Sequence, residues 1–309
     1  PGSSYDPLMF EFVSDLSNDQ GVEIERMNTL LTGLSKDPRA SLKGGLYHAE
    51  EAILNLDLVQ SLKKPAGFFD PSNPLNERLS NEDKEDEEEK PLAERSRNSR
   101  SPMLSFSNTD MAFSGNVMVA GSYHGFNIYN LDNQGHAELV SSVICPGGQG
   151  DVSIVGNLLI MSVEQNRGRI DCGLQGAGTE PNPERFRGIR IFDISDLKRP
   201  QQVGAVQTCR GSHTHSVVSG PDENGIIIVY NSGTSSVRDQ EELESCFEAI
   251  PGDNRTALFR IDVIEIPVAD PSQAKIVKSP TVFADPETGA LAGLWLSLIH
   301  ISEPTRLSV

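Results

Sequence analysis

Asp110–Asn116 reads D-M-A-F-S-G-N, and the chain then repeats itself twice: D-V-S-I-V-G-N at Asp151–Asn157 and, more loosely, H-S-V-V-S-G-P at His215–Pro221. An apolar run follows each copy: Val117–Ala120, Leu158–Met161 and Ile226–Val229. A second strand-like run comes next, F-N-I-Y-N ending at Asn130, I-R-I-F-D at Asp193 and L-F-R-I-D at Asp262. A third closes each unit: A-E-L-V-S-S-V-I-C, Q-Q-V-G-A-V-Q-T-C and A-K-I-V-K-S-P-T-V-F. Gly115-Asn116 and Gly156-Asn157 sit between apolar runs, where such a pair signals a two-residue hairpin turn. Each unit therefore reads as four short antiparallel strands, a to d. A repeated unit of this kind cannot bury both faces alone and must stack on its neighbours. The expected fold is all-β, a partial β-propeller of three four-stranded antiparallel blades over about 107–145, 149–209 and 213–285.

The units differ in length. From the Asp or His opening strand a to the Asn or Asp ending strand c is 20, 42 and 47 residues. The extra residues, Glu164–Phe186 and Ser232–Thr256, lie between strands b and c and are rich in Gly, Pro, Arg and Cys. In an antiparallel blade the d-to-a connection and the b-to-c connection share one end, and the a–b and c–d turns share the other. Asp110, Asp151 and His215 open the innermost strands, so the unusual residues collect around one mouth of the central channel. Arg167, Arg169, Arg185, Arg187 and Arg210 belong to the same end, and pairing with acids is the expected state for most of them.

Outside the repeats the chain is less patterned. Residues 1–53 read as an irregular extension with one short helix within Val22–Leu34. Leu58-Val59-Gln60-Ser61 aligns with Leu139-Val140-Ser141-Ser142, which makes 54–62 an orphan closing strand d. Residues 63–106 read as a long disordered loop, because Glu82–Glu89 holds seven acids and one Lys among scattered prolines. A solvated loop is favoured there over a calcium-binding patch. Leu296–Arg306 resembles a translated sequencing adapter, so 296–309 reads as a foreign tail and the propeller as truncated. The chain opens at Pro1 without a Met, so its true start, and any signal peptide, would lie upstream.

The formal charge of −18 argues against nucleic acid as a partner. No run of about 18 apolar residues is present to cross a membrane as a helix. Four cysteines allow three pairings. Cys145 and Cys209 each end a strand d, and Cys172 and Cys246 each lie in the following blade's b–c insertion. Equivalence of position then pairs Cys145 with Cys172 and Cys209 with Cys246, in an oxidising compartment.

The run G-x-x-I-F-D-I-S-D-x-x-x-P at Gly188–Pro200 resembles the LVIVD-repeat β-propellers. So do K-P-A-G-F-F-D-P at Lys64–Pro71, C-P-G-G-Q-G-D-V-S at Cys145–Ser153 and Q-T-C-R-G-S-H-T-H-S-V-V at Gln207–Val218, which point to a bacterial extracytoplasmic subgroup. The resemblance covers about residues 40–295. It implies a ring of about seven blades and export to the periplasm or beyond, and it implies no reaction.

Two functional readings follow. The first is an exported binding or scaffold module, monomeric when whole. Its unidentified small-molecule or protein ligand would sit at the mouth against Asp110, Asp151, Arg210, His213 and His215. The alternative is an enzyme using a single divalent metal on His213, His215 and Asp151, since two His two apart on an extended segment point the same way. Against the metal stands a structural role for the repeated Asp and His, in which they satisfy backbone donors and stitch neighbouring blades. No nucleophile elbow, Walker loop or C-x-x-C is present, and Pro146–Gly150 leads into a strand, which makes a poor phosphate cradle.

Overall fold

The computed structural model describes residues 22–30, 38–45, 48–69, 107–178, 181–248, 257–258 and 260–282. The chain divides into two compact units, Pro1–Ser61 and Leu62–Val309.

In the second unit twelve strands form three four-stranded antiparallel sheets. Blade 1 comprises β1 (Asn108–Ser114), β2 (Val117–Ser122), β3 (Gly125–Leu131) and β4 (Ala137–Ile144). Blade 2 comprises β5 (Gln149–Val155), β6 (Leu158–Val163), β7 (Gly188–Asp193) and β8 (Gln201–Gln207). Blade 3 comprises β9 (Thr214–Ser219), β10 (Ile226–Ser232), β11 (Asp262–Pro267) and β12 (Lys275–Lys278). Each sheet runs in chain order from first strand to last. The first strands pack together, β1 against β5 and β5 against β9, as innermost strands of propeller blades do.

The turn chemistry explains the register. Ser114 pairs with Val117 and Val155 with Leu158, so the Gly-Asn pairs are complete two-residue turns. Gly115 and Gly156 take φ of +58° and +59°, which a side chain would oppose. The β3–β4 turn uses another device. Asp132 accepts from the backbone N–H of Gln134 and His136 at 2.8 and 2.9 Å, an Asx turn that closes the hairpin.

Strand alternation makes both faces of blade 2 apolar, one for each neighbour. Leu159, Met161, Phe186 and Phe192 pack against Val119, Phe126 and Ile128 of blade 1, with Phe126 and Phe192 edge to face at 5.0 Å. Leu158, Ile160, Ile189 and Ile191 pack against Ile227, Val229, Ile264 and Ile266 of blade 3. Each such side chain, fully buried, contributes roughly 1.5–3 kcal/mol.

Three expectations need correction. Strand c of unit three is not L-F-R-I-D but D-V-I-E-I-P, because β11 begins at Asp262. The alternation Val263, Ile264, Glu265, Ile266 places Ile264 and Ile266 on blade 2. The orphan closing strand at 54–62 is not a strand. Residues 54–55 bend and the rest carry no regular structure. Leu54 and Leu56 are 82% and 78% exposed. A strand's backbone groups need a ladder partner, and no sheet includes this segment. Residues 63–69 are not loose loop: Phe68 is buried and meets the His124 ring edge-on at 5.6 Å. The acidic run and the Leu296–Arg306 tail lie outside the described residues.

In the first unit residues 22–30 form the short helix expected within Val22–Leu34, and Pro38–Ser41 forms a single 3-10 turn.

Candidate functional site

The residues that open the innermost strands act first on the neighbouring blade. Asp110 accepts the backbone N–H of Val152 at 3.1 Å, and Asp151 accepts that of His215 at 2.8 Å. Each carboxylate thus ties its own strand a to the next one, which is the stitching role. Asp151 also accepts from the Thr214 hydroxyl at 3.2 Å. Burial pushes the Asp151 carboxyl up, but the His215 ring and amide and the neighbouring Asp110 outweigh it and hold the group below the usual carboxylate range.

The His215 side chain is wholly buried. Its Nδ1 lies 3.0 Å from Asp151 Oδ2 and 2.8 Å from Ser162 Oγ, and Ser162 lies 2.7 Å from Ser212 Oγ. Serine, histidine and aspartate therefore meet, but serine and aspartate share one ring nitrogen. A relay needs them on opposite nitrogens, so the trio fixes the ring and does not activate Ser162.

His213 sits in a different pocket. Its Nδ1 lies 2.8 Å from Glu164 Oε2, and its side chain is 27% exposed against 7% for Glu164. Glu164 Oε1 accepts the Thr234 N–H at 2.6 Å and the Thr234 hydroxyl at 2.7 Å. That hydroxyl also lies 3.3 Å from His213 Nδ1. The Gln149 amide nitrogen runs along the ring edge, 2.6 Å from Nδ1 and 3.2 Å from Nε2. Burial raises the Glu164 carboxyl, but His213 and Thr234 together prevail and hold it below its ordinary value.

The expected metal triad does not assemble. His213 lies just before β9 at a bend, so the two-residue periodicity of a strand does not govern its ring. The two imidazoles go to separate carboxylates. No group of three His, Cys, Asp or Glu side chains among the described residues is arranged to hold a metal ion.

The rim is covalently and electrostatically fixed. Cys145 pairs with Cys172 and Cys209 with Cys246, as equivalence of position required, and no cysteine is free. Each bridge pins a long insertion to the start of its own blade. The insertions also grip one another through Glu242, whose side chain is fully buried. It accepts from Arg185 Nε and Arg238 Nε, both at 2.9 Å, and from the Asn182 N–H at 2.6 Å. Two cations and an amide thus offset the desolvation of one carboxylate.

The other arginines divide by partner. Arg169 pairs with Asp171 and Glu184. Arg210 donates to the carbonyls of Ser235 and Thr234 at 2.8 and 3.0 Å. Burial lowers its guanidinium pKa, with Glu164 and Glu248 opposing. Arg187 donates to Asn166 Oδ1, Ser235 Oγ and the Ser236 carbonyl, and Arg167 to Gln165 Oε1 and the Tyr123 carbonyl. Arg190 lies over the Phe186 ring at 4.1 Å, and burial pushes it down to about 10 against the pull of Asp171.

Blade 1 has no insertion, and its b–c connection is the short turn holding Tyr123 and His124. Burial, then the charges of Arg167 and Lys64, push the His124 ring down to about 4. Pro146–Gly150 passes between the first two blades. A Cβ on Gly150, at φ +59°, would lie 2.3 Å from the Ser122 carbonyl oxygen, and one on Gly147 would lie 2.5 Å from Val163 Cγ1. The glycines there admit close strand packing and not a phosphate.

Of the residues expected at the mouth, Asp110 and Asp151 stitch, His215 is buried between blades, and Arg210 braces an insertion. Only His213 combines an ionisable ring with partial exposure and a buried acidic partner. Glu164 was the residue missed. Its signal was a lone acid directly after the apolar run L-L-I-M-S-V.

No protein-family model matches the chain, and a search of curated proteins gave no match.

Proposed function

We propose that the protein is an exported binding module of the LVIVD-repeat β-propeller kind, from the extracytoplasmic space of a bacterium. Its ligand site is the channel mouth on the insertion-bearing face. One observation carries the reading. Three other chain segments, the start of β5, the end of β6 and the insertion after β10, converge on the partly exposed His213 ring of the β8–β9 connection. A fixed polar group on a braced rim suits recognition of a ligand with matching polar groups. Two disulfides agree with an oxidising compartment.

Thermal-shift screening of the purified chain against polar small molecules and short peptides tests this. A ligand should raise the melting temperature of the native chain and lose that effect in His213→Ala. Stabilisation that survives the substitution would move the site elsewhere. Metal analysis of the same samples separates the enzyme alternative, which requires one tightly held transition metal that disappears in the His213→Ala, His215→Ala double variant.

A further inference from the structure

We propose that Glu164 and His213 form a carboxylate–imidazole pair whose Nε2 accepts a proton from a hydroxyl-bearing ligand, so that the mouth carries a metal-free general base. This goes beyond binding, and its test needs no ligand.

The argument starts from the carboxylate. Both Glu164 oxygens accept: Oε1 from the Thr234 N–H and hydroxyl, Oε2 from His213 Nδ1. An acceptor on Oε2 places the ring proton on Nδ1. Nε2 is then left with its lone pair, the nitrogen that can take a proton. A buried carboxylate fixing the tautomer of a partly exposed imidazole is the arrangement a general base needs, because it also stabilises the imidazolium once formed.

Gln149 supplies the second observation. It is one of three non-glycine residues with positive φ among those described, at +48°, and it stands between Gly148 and Gly150, also positive at +70° and +59°. Such backbone is unfavourable for a side-chain-bearing residue, and strain of this kind gathers at functional sites. The strained residue lays the end of its amide along the ring edge, 2.6 Å from Nδ1 and 3.2 Å from Nε2. With the proton on Nδ1, the amide must turn its oxygen to that nitrogen, which leaves Gln149 as a second acceptor beside Glu164. A group that meets Nε2 must then be a donor, and a ligand hydroxyl or a water held by the ligand meets that need. A metal would require a third ligating side chain, and none joins the pair among the described residues.

Linking β6 to the insertion after β10 requires only Glu164 and Thr234. His213 adds to that link an ionisable ring that is 27% exposed. In the step itself the O–H proton moves to Nε2 and the bonding pair stays on oxygen. The ring's new positive charge faces the Glu164 carboxylate 2.8 Å away. Glu164 is the positioning residue; His213 is the group that meets the ligand.

Two measurements test this. Nitrogen–proton correlation spectra of the unmodified chain at neutral pH should show His213 as the Nδ1–H tautomer; an Nε2–H tautomer overturns the proposal. Carbethoxylation by diethyl pyrocarbonate, followed residue by residue by mass spectrometry, reads the nucleophilicity of Nε2. Glu164→Gln should slow modification at His213 several-fold, because the carboxylate that raises the basicity of the ring is gone. Gln149→Gly should speed it, because it clears the amide from the ring edge and suits the positive φ. Equal rates at His213 in all three proteins would sink the idea. If Glu164→Gln does not fold, the tautomer spectrum and the Gln149→Gly rate still decide. An empty ligand screen would count against the binding reading and leave both measurements standing.

Discussion

The two ends of the blades are made from the same repeat and held by opposite means. At the a–b turn end the hairpins are short and open to solvent. A Cβ on Gly115 or Gly156 would meet nothing within 4 Å. At the mouth end glycines are crowded by backbone, insertions are cross-linked, and arginines are buried. The turn end is specified by local backbone preference, which every unit can carry in a few residues. The mouth end is specified by long-range pairs that only this arrangement of insertions allows. Local geometry is enough to build a blade, but a rigid polar mouth needs contacts that no single blade can supply.

The largest expected effect lies at the mouth. Glu242→Gln leaves Arg185 and Arg238 buried without their shared carboxylate, and loss of one partner from a buried ion network costs about 3–5 kcal/mol. Urea unfolding should show the midpoint fall accordingly. A fall as small as that of a surface substitution would show that the rim is not locked by this group. Next comes the covalent clamp. Replacing Cys209 and Cys246 with serine opens a loop of sequence separation 37. The chain-entropy estimate for such a loop is about 3–4 kcal/mol. Proteolysis should then cut first within the insertion after β10, with the a–b turns still resistant. The smallest effect belongs to the turn end. Gly156→Ala places a side chain at φ +59° in open space, so only the conformational cost of about 1 kcal/mol remains. A much larger loss would mean that the turns, too, carry tertiary contacts.

What sequence could convey divides along the same line. The blades were legible because hairpin turns and alternation are local signals, and three copies confirm one another. The disulfides were legible for a related reason: Cys145 and Cys209 occupy equivalent places, as do Cys172 and Cys246, so position alone selects among the pairings. The third strand of blade 3 was misplaced because a long insertion precedes it. L-F-R-I-D imitates I-R-I-F-D by composition, whereas Ile264 and Ile266 are chosen by the blade 2 face they must cover. The H-x-H pair failed as a metal site because strand periodicity stops at Thr214, one residue after His213. Glu242 and Arg238 left no signal. They lie inside an insertion that does not repeat, and their partner Arg185 is 57 residues from Glu242. The segment 54–62 looks like a strand d because it has the composition of one, but a strand exists only where a neighbour completes its ladder.

The carboxylate stitches between innermost strands have a direction. Asp110 reaches forward to Val152, and Asp151 reaches forward to His215. In both cases the acceptor belongs to the earlier segment and the donor to the later one. During synthesis the acceptor is therefore in place before the donor emerges. Because each sheet is built from consecutive strands, a finished blade presents its carboxylate as a template for the strand that follows. Folding from the N-terminal side would let each blade set the register of its successor.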